Sequence, residues 1–281
     1  MPQLASTAPE PLSARGTRGR SGLPPVLLLP AALALAFLLL PLLALVLRAP
    51  WRTLPELLLT AQVGQALRLS LLCATSATAL CLLLGVPLAW VLARSDLPGS
   101  RIVRALVTVP LVLPPVVGGV ALLLLLGRRG LLGQHLDTGL GITIPFTTGA
   151  VVIAEAFVAM PFLVIAVEGA LRAADRRYED AAATLGASRW LIFRRVTLPM
   201  IAPGLAAGSV LCFARALGEF GATITFAGSY PGKTQTMPIA VYSTLESGDT
   251  DGAIVLSLVL LLVSVTVLVS LRGRWLTGGT T

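Results

Sequence analysis

Six apolar runs, each long enough to cross a lipid bilayer, divide this sequence, and that division decides most of what the chain can become. They are centred on Leu23 to Leu47, Leu69 to Ala93, Ala105 to Gly127, about Ile144 to Leu171, about Ile201 to Ala227, and Gly252 to Leu271. A helix needs about 20 apolar residues to span a hydrocarbon core of roughly 30 Å. Inside hydrocarbon every backbone amide and carbonyl must be paired within the protein, so runs of this kind become helices. The composition agrees. Hydrophobic residues make up 56% and charged residues 12% of the chain, against about 25% charged in an average soluble domain, and the mean hydropathy is +0.88. The expectation is an all-α integral membrane protein of about six transmembrane helices, with a membrane domain over residues 23–281. Prolines inside several runs (Pro41, Pro87, Pro110, Pro114, Pro115, Pro161) predict kinks or interruptions. Residues 1–22, rich in Ser, Thr, Pro, Gly and Arg, read as a disordered tail. The first run far exceeds the roughly 7–15 apolar residues of a cleavable signal, so it is taken as the first span.

Basic residues orient the spans. With the N-terminus inside, 14 of the 21 Lys and Arg fall in inner segments, six (Arg48, Arg52, Arg68, Arg128, Arg129, Lys233) in outer ones, and Arg215 lies within the fifth run. The positive-inside rule then places both termini in the cytoplasm and the chain in the cell's plasma or inner membrane. The net charge of +8 thereby belongs to membrane insertion; no basic patch with interleaved aromatics marks a nucleic-acid partner.

Little in the sequence supports chemistry. Cys73, Cys81 and Cys212 lie inside apolar runs without CxxC or Cys/His spacing, and His135 is the lone histidine, so no catalytic set, metal site or cofactor site is expected. The stretch Ala227-Gly-Ser-Tyr-Pro-Gly-Lys-Thr234 meets a relaxed phosphate-loop spacing. Such a loop needs a buried strand before it and a helix after it to hold phosphate, whereas here an apolar span precedes it and Pro238 follows; a turn at the outer mouth, touching a delivery protein, is the better reading.

The longest inner connection, about Arg172 to Pro203, has a regular build. Asp175 to Leu185 favours a helix with an alanine run, Gly186 ends it, Ser188 caps a second short helix through about Thr197, and Pro199 closes that helix. Two short helices meeting at a glycine make a knob with a small-residue face. Asp180-Ala181-Ala182, three residues, Gly186, nine residues, then Val196-Thr197-Leu198-Pro199 resembles the EAA loop of ATP-binding-cassette importer permeases. Asp180 replaces the family's Glu, with Glu179 a second carboxylate beside it, and Val196 replaces Ile. The resemblance implies a type I importer permease fold with coupling helices between helices 4 and 5. It also implies that Glu179, Asp180, Ala181, Ala182, Gly186, Val196, Leu198 and Pro199 meet a separate ATPase subunit. ATP and Mg would then be bound by that partner, and this chain would carry no ATPase site.

Phe213 to Tyr242 is similar to the matching stretch of molybdate permeases and, less closely, of sulfate and thiosulfate permeases. The implied cargo is a tetrahedral oxyanion, molybdate first and tungstate hard to separate from it, with sulfate or thiosulfate as the alternative. The implied assembly is a homodimer with two ATPase subunits and an extracytoplasmic oxyanion-binding protein. An ion-coupled secondary transporter would instead show inverted repeats and an intramembrane ion site, and neither is evident.

Arg215 and Glu219, four residues apart, share a helix face and can pair. At about 2.5–3.5 kcal/mol for an isolated charge at the bilayer centre, neither belongs against lipid. Two readings stay open: a gate or pathway surface offering Arg215 to a dianion, or a pair that fixes packing. Gly218 and Gly221, with Ala216 and Ala222, form a small-residue face suited to close helix approach. Glu155 and Glu168 lie 13 residues apart in the fourth run, Glu168 towards its inner end.

Overall fold

The computed structural model of the protein describes residues 25–95 and 98–276, with side chains through 269. The expected tail over residues 1–22 and the Leu23 start of the first run lie outside the described residues. Helix α1 (Pro25–Leu47) is a unit of its own, apolar on all faces, with Pro30 and Pro41 inside it. The second unit, from Arg48 onward, holds the other helices. These are α2 (Leu54–Leu58), α3 (Ala61–Arg94), α4 (Ser100–Val112), α5 (Pro115–Leu126), α6 (Gly133–Leu140), α7 (Thr148–Ala173), α8 (Arg177–Thr184), α9 (Arg189–Ile192), α10 (Leu198–Leu217), α11 (Gly221–Ala227), α12 (Met237–Glu246) and α13 (Thr250–Leu276). A π-helical turn, Phe193–Thr197, joins α9 to α10. Among the described residues five helical segments are long and apolar enough to cross a membrane, or six if the bent pair α4 and α5 counts as one span.

The centre is a triad of α3, α7 and α10. Small residues let their backbones approach: Ala74, Ala77, Ala159 and Ala216 are fully buried, and a Cβ on Gly208 would meet the Cβ of Ala166 at 2.8 Å. Lipid tails are as apolar as leucine side chains, so van der Waals fit rather than hydrophobic transfer holds such helices together. Leu163, Leu171 and Ile201 fill the remaining space with Leu92 and Leu217. Cys81 and Cys212 sit in the same cluster, and all three cysteines are buried free thiols. Two smaller clusters extend this core. In one, Ala222 and Phe226 of α11 and Leu122 of α5 pack on Val151, Ala154 and Val158 of α7. In the other, Met237 and Ala240 of α12 and Leu256 of α13 cover Val63 and Ala66 of α3.

Several helix limits differ from those read in the sequence, each for a local reason. The second span begins at Ala61 rather than near Leu69. Hydropathy marks where lipid is, and the helix runs past it through Gln62, Gln65 and Arg68. The third run is two helices bent by 115°. Leu113 and Pro114 are extended because each precedes a proline, and Pro115 opens the new helix. Pro199 does not close the second loop helix. The amide of Leu198 already reaches back five residues to Phe193, and Pro199 falls in the first turn of α10, where a proline is tolerated. The fifth run is likewise broken, between α10 and α11 at Gly218, Glu219 and Phe220.

The α5 and α11 helices meet at glycine. A Cβ on Gly119 would stand 2.7 Å from the Ala222 carbonyl oxygen and 2.8 Å from the Thr225 Cβ. Overpacking of this kind costs about 1–3 kcal/mol. Gly119→Val is therefore expected to lower the thermal midpoint of the detergent-solubilised protein. Gly64→Ala, on an open helix face, should leave it unchanged or raise it. Equal midpoints for the two variants would show that the α5–α11 contact is not tight.

Candidate functional site

The loop between α7 and α10 folds from its own sequence. Asp175 accepts from the amide of Arg177 at 3.0 Å and starts α8, while Glu179 and Asp180 lie in its first turn, where carboxylates favour a helix N-terminus. At the other end the amides of Gly186 and Ala187 return to the carbonyls of Ala183 and Ala182 at 3.0 and 3.1 Å. That closure requires the left-handed backbone of Gly186, φ +82°. The Ser188 hydroxyl then accepts from the amide of Leu191 at 3.3 Å and opens α9. The result is a helix, a glycine corner and a second short helix.

Its outer surface carries Asp180, Ala181 and Gly186, all exposed, with Ala182 half-buried beneath. Around the corner stand three large side chains that the sequence did not single out: Leu185 is 88% exposed, Trp190 68% and Tyr178 63%. Their only signal in the sequence was bulk in an otherwise small and polar loop. No atom of the described residues lies within 4 Å of a Cβ built on Gly186, so the corner stands open. Val196 and Leu198 are half-buried, and Pro199 is exposed.

Beneath the loop lies an ion-paired seam. Arg94, at the end of α3, donates to Glu179 at 2.9 Å, and the fully buried Thr197 hydroxyl donates to the same carboxylate oxygen at 2.8 Å. Nearby Glu168 accepts from Arg104 at 2.7 Å and from Arg172 at 2.7 Å, and Arg104 also donates to the carbonyl of Leu92. Arg94, Arg104 and Thr197 were not legible as site residues, because their partners come from other helices.

Arg215 and Glu219 pair at 2.5 Å. Glu219 is not on the helix that carries Arg215, however. It stands in the break, 1% exposed, and its other oxygen accepts from the Ala222 amide at 2.8 Å, restarting the chain as α11. Arg215 keeps about a quarter of its side chain exposed. The expected small-residue face divides in two. Gly221 is in close contact, a Cβ there falling 2.9 Å from that of Pro115, whereas Gly218 is exposed and among the described residues a Cβ on it would meet only the Ala214 carbonyl oxygen of its own turn, at 3.6 Å. Glu155, also 1% exposed, has one carboxylate oxygen without a hydrogen-bond partner among the described residues, as has the Thr223 hydroxyl.

The phosphate-loop look-alike is a compact turn. The amides of Lys233, Thr234 and Gln235 all converge on the carbonyl of Tyr230, and the Thr234 hydroxyl links Tyr230 to Gly228. Those amides are spent on the turn itself, α11 precedes it in place of a strand, and α12 begins beyond it at Met237.

Helices of this order, with a loop of two short helices between the long ones, recur in known transporter structures. A chain of a bacterial ABC transporter involved in the import of the acidic polysaccharide alginate superposes with a TM-score of 0.70, covering 91% of this chain and 95% of that one at 17% identity. Residues 82–278 match the binding-protein-dependent transport system inner membrane component family, and the chain belongs to it. The molybdenum transport system permease protein ModB of Mycobacterium tuberculosis is 49% identical over 252 residues, 90% of this chain and 95% of that protein. ModB of Escherichia coli is 43% identical over 216 residues, 74% and 94%. The sulfate transport system permease protein CysT of Escherichia coli is 36% identical over 238 residues, 84% and 86%.

Removing one partner of a buried ion pair leaves the other uncompensated, at about 3–5 kcal/mol in full burial. Glu219→Ala also removes the acceptor for Ala222, while Glu219→Gln retains an oxygen for it. The alanine variant is thus expected to lose clearly more thermal stability than the glutamine variant. Equal losses would mean that charge alone, and not the helix restart, depends on Glu219.

Proposed function

We propose that this chain is the transmembrane permease of an ATP-dependent importer that carries a tetrahedral oxyanion, molybdate or its near-isostere tungstate, into the cytoplasm. The observation that carries this reading is the identity to molybdenum permeases along most of the chain, higher than to the sulfate permease. Both termini face the cytoplasm, the side to which Arg94, Arg104 and Arg172 would be drawn by the positive-inside rule. The exposed corner from Asp180 to Gly186 enters a cleft of a separate ATPase subunit, which binds ATP and Mg and hydrolyses the nucleotide. A second copy of the chain completes the pathway, and an extracytoplasmic binding protein delivers the anion to the outer turn around Lys233.

Movement of the ATPase subunits would rock helix α10 through the π-helical turn and alternate access to the pathway. Arg215 is the pathway cation of this reading, with Gly218, Glu219 and Gly221 as gate residues beside it. It is partly exposed and half-neutralised by Glu219, which suits transient contact with a dianion that must also be released. A bare arginine would hold the dianion too well. Selectivity resides mainly in the binding protein, and the permease has to tolerate a doubly charged sphere without trapping it.

Reconstitution with the ATPase subunit and a molybdate-binding protein is expected to give ATP-dependent molybdate uptake that tungstate competes for and sulfate affects weakly. Sulfate competing as well as tungstate would favour the sulfate reading, and uptake without any ATPase subunit would overturn the importer reading. Gly186→Trp forces a bulky side chain into a left-handed position on the docking corner. It should reduce uptake by at least about tenfold while the protein still inserts in the membrane; normal uptake would make the loop a mere linker.

A further inference from the structure

The two adjacent carboxylates of the loop face different ways, and this separates two tasks. Asp180 is exposed, and its carboxylate has no partner among the described residues. Glu179 points into the bundle and takes two donors on one oxygen, Arg94 at 2.9 Å and Thr197 at 2.8 Å. Those donors belong to different transmembrane elements: Arg94 ends α3, and Thr197 closes the π-helical turn that leads into α10. We infer that Glu179 is the positioning residue that makes α8 move as one body with α3 and α10, while Asp180 is left to meet the partner subunit.

Three features support this. The first is that packing does not do the same job between α8 and α3. Between α8 and α3 lies an open groove of about 750 Å³, with Val86, Pro87 and Trp90 on one wall and Asp180 and Ala183 on the other. A helix separated from α3 by a groove transmits displacement to it only where a stiff contact crosses, and the Arg94–Glu179 bond crosses at its edge. The second is that the contact is sheltered. The side chains of Arg94 and Glu179 are 10% and 17% exposed, and Thr197 is wholly buried, so solvent and salt screen the pair far less than a surface pair. Arg94 Nε is buried without a partner among the described residues, which leaves Glu179 as its counter-ion. The third is where the clamp closes. Thr197 is the last residue of a π-helical turn, an irregularity that is commonly kept at functional positions, and Trp90 meets Phe193 of that turn edge-on at 5.2 Å. Force on α8 therefore arrives at the one point of the α9–α10 rod where its hydrogen-bond register changes.

This inference rests on the coupling reading of the loop, and the experiment separates the two. The full complex of permease, ATPase subunit and binding protein is reconstituted in proteoliposomes, and ATPase co-purification, ATP hydrolysis and molybdate uptake are measured on the same preparations. For Glu179→Ala the ATPase subunit should co-purify and hydrolyse ATP, while uptake per ATP falls by about tenfold. Thr197→Val, which removes one of the two bonds at nearly constant volume, should give a smaller loss in the same ratio and serves where the alanine variant fails to fold. Reversing the pair, Arg94→Glu with Glu179→Arg, should recover a large part of the lost ratio. Asp180→Ala should instead weaken co-purification and leave uptake per ATP unchanged in the complexes that do form. An unchanged ratio in both Glu179→Ala and Thr197→Val overturns the inference, as does loss of ATPase binding in Glu179→Ala with no effect of Asp180→Ala. If the wild-type chain binds no ATPase subunit, the coupling reading itself falls.

Discussion

A backbone in hydrocarbon has no water to bond with, and the rest of this structure is arranged around that fact. Long helices satisfy it automatically. The informative places are those where a helix stops inside the apolar region, because each stop frees amides and carbonyls that the protein must pair again. At the end of α10 the chain leaves its helix at Gly218, and the Glu219 carboxylate captures the amide of Ala222 so that α11 can begin. At the bend between α4 and α5 two prolines remove donors altogether, so the break costs fewer unpaired groups. Both breaks meet where Pro115 lies against Gly221. An acid in the membrane is thereby tolerated because it is a backbone partner and an ion-pair partner at once.

The same solvent explains the small residues. Apolar side chains gain little by leaving lipid for protein, so α3, α7 and α10 adhere by close fit, with alanine and glycine at their crossings and leucine and valine in the gaps. Helices packed this way slide or tilt as units more readily than they deform. That property suits a permease, in which movement at one end has to reach the other.

The charges at the loop are graded by depth. Exposed groups, Asp180 with Leu185 and Trp190, are available to a partner. The sheltered carboxylates, Glu179 and Glu168, are each held by two donors drawn from different segments: Arg94 and Thr197 for one, Arg104 and Arg172 for the other. In water such pairs contribute little, but with both side chains mostly covered the Arg94–Glu179 pair becomes a stiff link between helix ends. The Arg215–Glu219 pair repeats the device deeper in the membrane, with one member kept partly open.

Much of this was legible in the sequence, for a physical reason. Lipid sorts residues by hydropathy alone, so the apolar runs, the basic connections and the motif from Asp180 to Pro199 could be read without coordinates. Local rules also sufficed for the loop, where Gly186 turns the chain and Ser188 caps the second short helix. What hydropathy does not record is whether an apolar run is continuous. The bend at Leu113 and Pro114, the break at Gly218 and the passage of the helix through Pro199 depend on which neighbour repairs the hydrogen bonds. Contacts between distant segments were equally hidden. Arg94 looked like one more positive-inside residue, Glu179 like a spare beside Asp180, and Thr197 like loop filler, until folding brought Arg94 and Thr197 within 3 Å of the Glu179 carboxylate. The sequence determined the solvent, the apolar runs and the family resemblance, because these depend on composition and short-range spacing. Only the tertiary structure decided which of two neighbouring carboxylates turns inward, because that depends on a cation 85 residues away.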